Sequence, residues 1–163
     1  FDSMTVQENV SFPLKMFSGM TDAEIDRRAS ECLERVELAD AGSRFPAECS
    51  GGMQKRVGIA RAIAMNPKYL FCDEPNSGLD PQTAIVIDQL IMEITREYNM
   101  TTVVISHDMN SVMEASDTIH FVHEGRILWR GDRGGLLAGG VPELEDFVFA
   151  SELMRRIRKG GQI

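Results

Sequence analysis

Cysteine is scarce, and the three present, Cys32, Cys49 and Cys72, are odd in number and form no Cys-x-x-Cys pair. That excludes a disulfide framework and a paired-thiol metal site, and it fits a reducing compartment. No apolar run approaches the roughly eighteen residues needed to cross a bilayer, and no signal peptide opens the chain. Any membrane role must come through a partner. Basic residues are outnumbered, 17 Lys and Arg against 25 Asp and Glu, for a net charge of -8. A nucleic-acid backbone is bound by a broad basic face, so no nucleic-acid partner is expected. Internal repeats are missing as well. What remains is a chain of 163 residues, 43% apolar and 26% charged, enough for one sizeable core. One domain, or a part of a larger one, is the expectation. The sequence opens at Phe1 inside an organised segment, so a further upstream part is expected.

The first third reads as helical. Thr5 is placed to cap a helix over residues 5–17, the turn SGMT follows, and Thr21 with Glu24 forms a Thr-x-x-Glu capping box. In that second helix Ile25, Ala29, Cys32, Leu33 and Val36 recur at helical spacing, with charged residues on the other side. From residue 68 short apolar runs alternate with helices, the pattern of parallel strands joined by crossovers. KYLFCDEP is a buried strand ending in two carboxylates, and TTVVISHD is a second strand ending in Ser106, His107 and Asp108. Between them, Pro81 to Tyr98 forms a helix with Ala84, Ile87, Leu90, Ile91 and Ile94 inward. A short helix near Asn110 to Ala115 precedes TIHFVHEGRILWRG, two strands joined at Glu124-Gly125. The glycines at 134, 135, 139 and 140 indicate one flexible loop, and PELEDFVFASELMRRIRKGG a C-terminal helix with a basic last turn.

Three stretches could carry chemistry. CSGGMQKRVGIARA places Ser-Gly-Gly at the head of a basic amphipathic helix, where uncovered amides can hold an anion, although Ser50 could equally be a plain N-cap. Asp73-Glu74 and Ser106-His107-Asp108 both fall at strand carboxyl ends, where open α/β sheets bind ligands. A first carboxylate there can hold Mg²⁺ and a second can deprotonate a water; the alternative is two carboxylates facing solvent. His107 could donate to a phosphate or be structural. His120 and His123 lie at an odd offset in a strand, on opposite faces, and no metal site is expected there.

In their order and separations, SGGMQKR, YLFCDEP, SGLD and VVISHD resemble the motifs of the ABC-type ATPases. In that family Ser-Gly-Gly is the signature motif, the strand with Asp-Glu is Walker B, Ser77 to Asp80 is the D-loop, and His107 matches the switch histidine. The resemblance implies an α/β fold, a partial P-loop NTPase (RecA-like) core plus an α-helical signature subdomain. The helical subdomain would cover residues 1–65, and residues 66–163 the second half of the catalytic core with the C-terminal helix. ATP and Mg²⁺ are the implied cofactors. Asp73 would bind Mg²⁺ through water, Glu74 would be the general base and His107 would sense the γ-phosphate. Ser50, Gly51, Gly52 and Gln54 would present the helix start to ATP in the opposite subunit, and Asp80 would couple the two sites. The implied partners are a second copy in a homodimer and an integral-membrane permease, at the cytoplasmic face of the bacterial inner membrane.

Two departures matter. Cys49 stands where the family has Leu, and no Gly-x-x-x-x-Gly-Lys-Ser/Thr phosphate loop occurs between residues 1 and 163. The family's Q-loop glutamine is also missing, Gln7 lying too far into the first helix. The resemblance therefore implies an ABC-type ATPase whose present chain is inactive alone. Among family members, FDSMTVQENVSFPL, SGGMQKR and EDFVFASELMRRIR look most like the phospholipid-trafficking Mla or toluene-tolerance type. The alternatives are the ATPase of an importer for another small substrate, or a non-catalytic fragment that supplies only the signature motif and partner docking. ABC ATPases acting on DNA or ribosomes fit less well, because residues 1–49 hold no coiled coil and no basic linker.

Overall fold

The computed structural model describes residues 1–150, which divide into two units, one of Phe1–Ser106 and one beginning at His107. In the first unit the chain runs α1 (Val6–Phe17), α2 (Asp22–Arg35), α3 (Gly51–Ile63), β1 (Tyr69–Asp73), α4 (Pro81–Glu97) and β2 (Thr101–Ile105). Both expected helix starts are present with full capping boxes, Thr5 with Glu8 and Thr21 with Glu24. Each box satisfies two amides that the first helical turn would otherwise leave without partners. Pro13 sits inside α1, where it withholds the amide that would reach the carbonyl one turn back.

The three helices and α4 share one core. Val6, Val10 and Leu14 of α1, the whole expected stripe of α2, and Val57, Ile59, Ala60 and Ile63 of α3 are buried together with Ile87, Leu90, Ile91 and Ile94 of α4. Arg28 pins α2 to the end of α3, donating to the carbonyls of Ile63 and Ala64 at 3.1 Å each and to Asn66 Oδ1 at 2.5 Å. Such charge-assisted bonds contribute about 1.5–3 kcal/mol where they are shielded from water. Arg35 reaches from α2 to Glu93 and Glu97 of α4.

β1 and β2 pair in parallel, Tyr69 beside Thr101 and Asp73 beside Ile105. The expected continuous buried run is corrected here. Among the described residues this sheet has two strands, and burial in β1 alternates: Leu70 and Cys72 are buried, while Tyr69 and Phe71 are 63% and 72% exposed. Successive side chains of a strand leave on opposite faces, and here only the face of Leu70 and Cys72 is covered.

The second unit holds α5 (Met109–Ala115), an antiparallel pair β3 (Ile119–His123) and β4 (Arg126–Gly131), α6 (Arg133–Ala138) and α7 (Pro142–Val148). Glu124 and Gly125 make the hairpin turn with φ of 46° and 74°, both left-handed, as a two-residue hairpin loop with right-handed strand twist requires. Leu136, Leu144, Val148 and Phe149 form its core, with Phe121 and Trp129 packed against them. The glycine loop is a second correction. Gly134 and Gly135 lie inside α6, capped by Asp132, whose carboxylate accepts from the Gly135 amide at 2.8 Å, and only Gly139 and Gly140 take positive φ. Most of the expected C-terminal helix, from residue 151 onward, lies outside the described residues.

Candidate functional site

The start of α3 is built by the loop before it. Gln54 Nε2 donates back to the carbonyls of Pro46 (2.9 Å) and Cys49 (3.2 Å), and Cys49 is buried with its thiol on the Phe45 carbonyl. Ser50 is the N-cap, its hydroxyl accepting from the Met53 amide at 3.3 Å. Capping and anion presentation are compatible, because one side-chain acceptor satisfies one of the four amides left over at a helix start. Ser50 and Gly51 are exposed, so this turn is open to solvent. Gly52 is buried, and for a packing reason: a methyl group there would stand 2.7 Å from Thr83 Cγ2, and one on Gly51 would stand 3.3 Å from Leu79 Cδ2.

The acidic end of β1 follows the same logic of fitted backbone. Asp73 is the last residue of the strand and its side chain is exposed. Glu74 is half-buried and takes φ of 47°, the left-handed region, which costs a non-glycine residue about 1–2 kcal/mol. Three bonds hold it there. Its amide donates to the Ile105 carbonyl (2.9 Å), and its own carbonyl accepts from the Ser77 amide (3.2 Å) and from Lys55 Nζ (3.0 Å). A strained backbone position held by several bonds is a mark of functional sites.

From Glu74 the chain turns through Ser77 and Gly78, which is left-handed at φ 76°, into α4. Asp80 caps α4, its carboxylate accepting from the Thr83 amide at 3.0 Å and from the Thr83 hydroxyl at 2.5 Å. Those two bonds hold the Asp80 carboxyl below its usual range. Asn76 and Asp88 are both buried, and the Asn76 amide donates to the Asp88 carboxylate at 3.2 and 3.4 Å, tying this turn to α4. Sequence reasoning did not single out Lys55, Asn76, Thr83 or Asp88. The i+4 spacing from Gly51 to Lys55 places them on one helix face, but their counterparts in residues 74–83 are not readable from spacing.

The structure thus brings Ser50, Gly51, Gly52 and Gln54 at one helix start and Asp73, Glu74 and Asp80 on the segment beside it into the first unit, while His107, exposed, opens the second. In that second unit the His123 ring stacks on Phe121, centroids 6.0 Å apart. Among the described residues no group of three or more His, Cys, Asp and Glu side chains assembles into a closed cation site. Mg²⁺ ordinarily keeps waters and takes one or two carboxylates together with substrate phosphates, so an exposed strand-end carboxylate such as Asp73 fits that open mode. The cysteines are free and buried, and burial pushes the Cys32 and Cys72 thiols up, which makes them poor nucleophiles. Among the described residues no helix is long and apolar enough to cross a membrane.

The fold has solved counterparts. Two dimeric structures of the ATP-binding cassette MJ0796, one described as a post-hydrolysis state bound to ADP and Pi, superpose with a TM-score of 0.71 at 34% identity, covering 81% of this chain and 58% of theirs. The fold is therefore the partial P-loop NTPase core of an ABC ATPase with its helical signature subdomain.

Residues 1–77 match the family model for ABC transporter, and the chain carries part of an ABC transporter ATP-binding domain. Relatives include methionine import ATP-binding protein MetN 2 of Pseudomonas aeruginosa, 42% identical over 151 residues, and MetN 1 of Pseudomonas fluorescens, 46% identical over 129 residues. These alignments cover 92% and 79% of this chain. The chain spans only 45% and 38% of those relatives' own length.

Proposed function

We propose that this chain supplies the signature turn and the acidic strand end of the ATP-hydrolysing, energy-coupling subunit of an ABC importer for a small substrate. The observation that carries the reading is the meeting of the glycine-bearing start of α3 with residues 74–83, the segment that begins at Glu74 and contains Asp80. The relatives named for methionine import support a small-substrate importer over the phospholipid transport that the sequence stretches resemble.

In this reading residues 1–65 act as the helical subdomain and residues 66–163 as the second half of the catalytic core. Asp73 holds Mg²⁺ through water, Glu74 takes the proton from the attacking water, and His107 contacts the γ-phosphate. The start of α3, shaped by Gln54, offers Ser50, Gly51 and Gly52 to ATP held by a second copy, and Asp80 links the two sites. The dimeric MJ0796 cassettes support that pairing. A permease in the inner membrane is the remaining partner, with this chain peripheral to its cytoplasmic face. No phosphate loop lies within residues 1–163, so hydrolysis needs the chain joined to one.

The experiment is Glu74→Gln in a polypeptide that joins this chain to such a loop. Loss of a general base lowers turnover by about 10²–10⁴-fold, and ATP should stay bound in a closed dimer. Normal turnover would refute the assignment. Phospholipid transport is the second reading, favoured by FDSMTVQENVSFPL and SGGMQKR. With the permease in a bilayer, turnover stimulated by a dissolved amino acid supports the first reading, and turnover stimulated by phospholipid alone supports the second.

A further inference from the structure

One side chain of α3 does something that neither helix stability nor nucleotide contact requires. Lys55 sits one turn beyond Gly51 and Gly52, on the same face of the helix. Its ammonium is half-buried and donates to the Glu74 carbonyl at 3.0 Å and to Ser77 Oγ at 3.4 Å. A cation near the positive end of a helix gains nothing from the helix dipole, and α3 has no acidic residue in its first turn to offset it. The ammonium sits on the backbone of the residue after Asp73. Along one face, then, α3 touches residues 74–83 three times: Gly51 against Leu79, Gly52 against Thr83, and Lys55 on Glu74 and Ser77. The first two are close packing contacts with no directional bond. The third is directional and charge-assisted, and it lands on the left-handed residue.

We infer that Lys55 is a positioning residue: its ammonium latches the signature helix to the carbonyl of Glu74, holding that residue's left-handed backbone and with it the aim of the carboxylate. Movement of the start of α3, as when a second copy's nucleotide is gripped, is passed to Glu74 within the same protomer through this bond. The inference rests on the ATPase reading above, but the latch can be measured without it.

The test uses Lys55→Met, which keeps the apolar stem and removes the charge, and Lys55→Arg, which restores a charged donor. In the 163-residue chain, amide exchange is followed at Ser77, whose N–H donates to the same carbonyl, and at Leu14 and Ile63 in the core as controls. Loss of a charge-assisted bond of this kind speeds local opening by about tenfold, so exchange at Ser77 should rise by that factor in Lys55→Met with the controls unmoved. Lys55→Arg should bring it back. In the form joined to a phosphate loop, kcat for Mg-ATP should fall about tenfold in Lys55→Met with KM within twofold, and Lys55→Arg should recover most of the loss.

Unchanged exchange and unchanged kcat would overturn the proposal. So would faster exchange at the controls too, or a failure of Arg to rescue, since either marks a purely structural lysine. A wild-type joined form with no ATPase activity would refute the ATPase reading, and the positioning role with it. ATPase activity in the wild-type joined form beside an unmoved Ser77 in Lys55→Met would refute the latch alone.

Discussion

Gly52→Ala measures how tightly the signature turn is fitted to the segment that carries Glu74 and Asp80. The added methyl would stand 2.7 Å from Thr83 Cγ2, closer than real contacts allow. Forcing an extra carbon into packed surroundings costs about 1–3 kcal/mol. Alanine is a better helix former than glycine by about 0.8–1 kcal/mol, so the net loss is about 0–2 kcal/mol. The cause can be isolated, because Thr83→Ser deletes Cγ2 and keeps the hydroxyl that bonds Asp80. By itself Thr83→Ser removes one methyl, a loss of about 0.8 kcal/mol. In the Thr83→Ser background, however, Gly52→Ala should be neutral or stabilising. Urea denaturation of the four proteins in this cycle should therefore show a coupling of about 1–3 kcal/mol. On a thermal scan each kcal/mol is worth about 2–4 °C for a chain of this size. Two substitutions additive to within about 0.5 kcal/mol would refute the claim that Gly52 is glycine because of Thr83.

Two further outcomes follow from the same geometry. Thr83 holds the Asp80 carboxyl below its usual range, so the charge stabilises the fold above the unfolded carboxylate pKa of about 3.9 and that contribution is lost as pH falls through the lower folded value. Asp80→Asn should thus be less stable than wild type at pH 7 and converge with it in acid; a gap that stays constant down to strongly acidic pH would show that the charge contributes nothing. On the open face of β1, Phe71→Lys should leave stability within about 0.5 kcal/mol, because the ring is already exposed. The same change should weaken any concentration-dependent self-association seen by sedimentation, whereas a large loss of stability would mean the ring is covered in solution.

What could be read from the sequence was whatever is decided locally. Thr5 and Thr21 announce their helices within three residues, and Glu124-Gly125 announces the hairpin. The inner stripe of α4 follows from a 3.6-residue period, and Ile87, Leu90, Ile91 and Ile94 are buried as that period requires. Burial in β1 is not legible in the sequence, because it depends on how many neighbours a sheet has, which no strand encodes in itself. Gly134 and Gly135 are helical where a loop is expected, because glycine permits a loop without demanding one and Asp132 supplies the cap that makes α6. Motif order pointed to Ser50, Asp73, Glu74 and Asp80. The bonds that fix their geometry lay out of reach: Lys55 meets Glu74 across 19 residues and Asn76 meets Asp88 across 12, and such pairings are made by the fold.

The most direct test of the central claim is calorimetric titration of Mg-ATP into the 163-residue chain beside the same chain joined to a phosphate-binding loop. If this chain supplies the signature turn, the metal carboxylate and the general base while the β- and γ-phosphate cradle lies outside residues 1–163, the joined form should bind clearly and the 163-residue chain should show no binding up to millimolar nucleotide. A dissociation constant of about 10 μM or tighter for the 163-residue chain, some 7 kcal/mol of binding energy, would reveal a phosphate cradle among these residues and contradict that assignment.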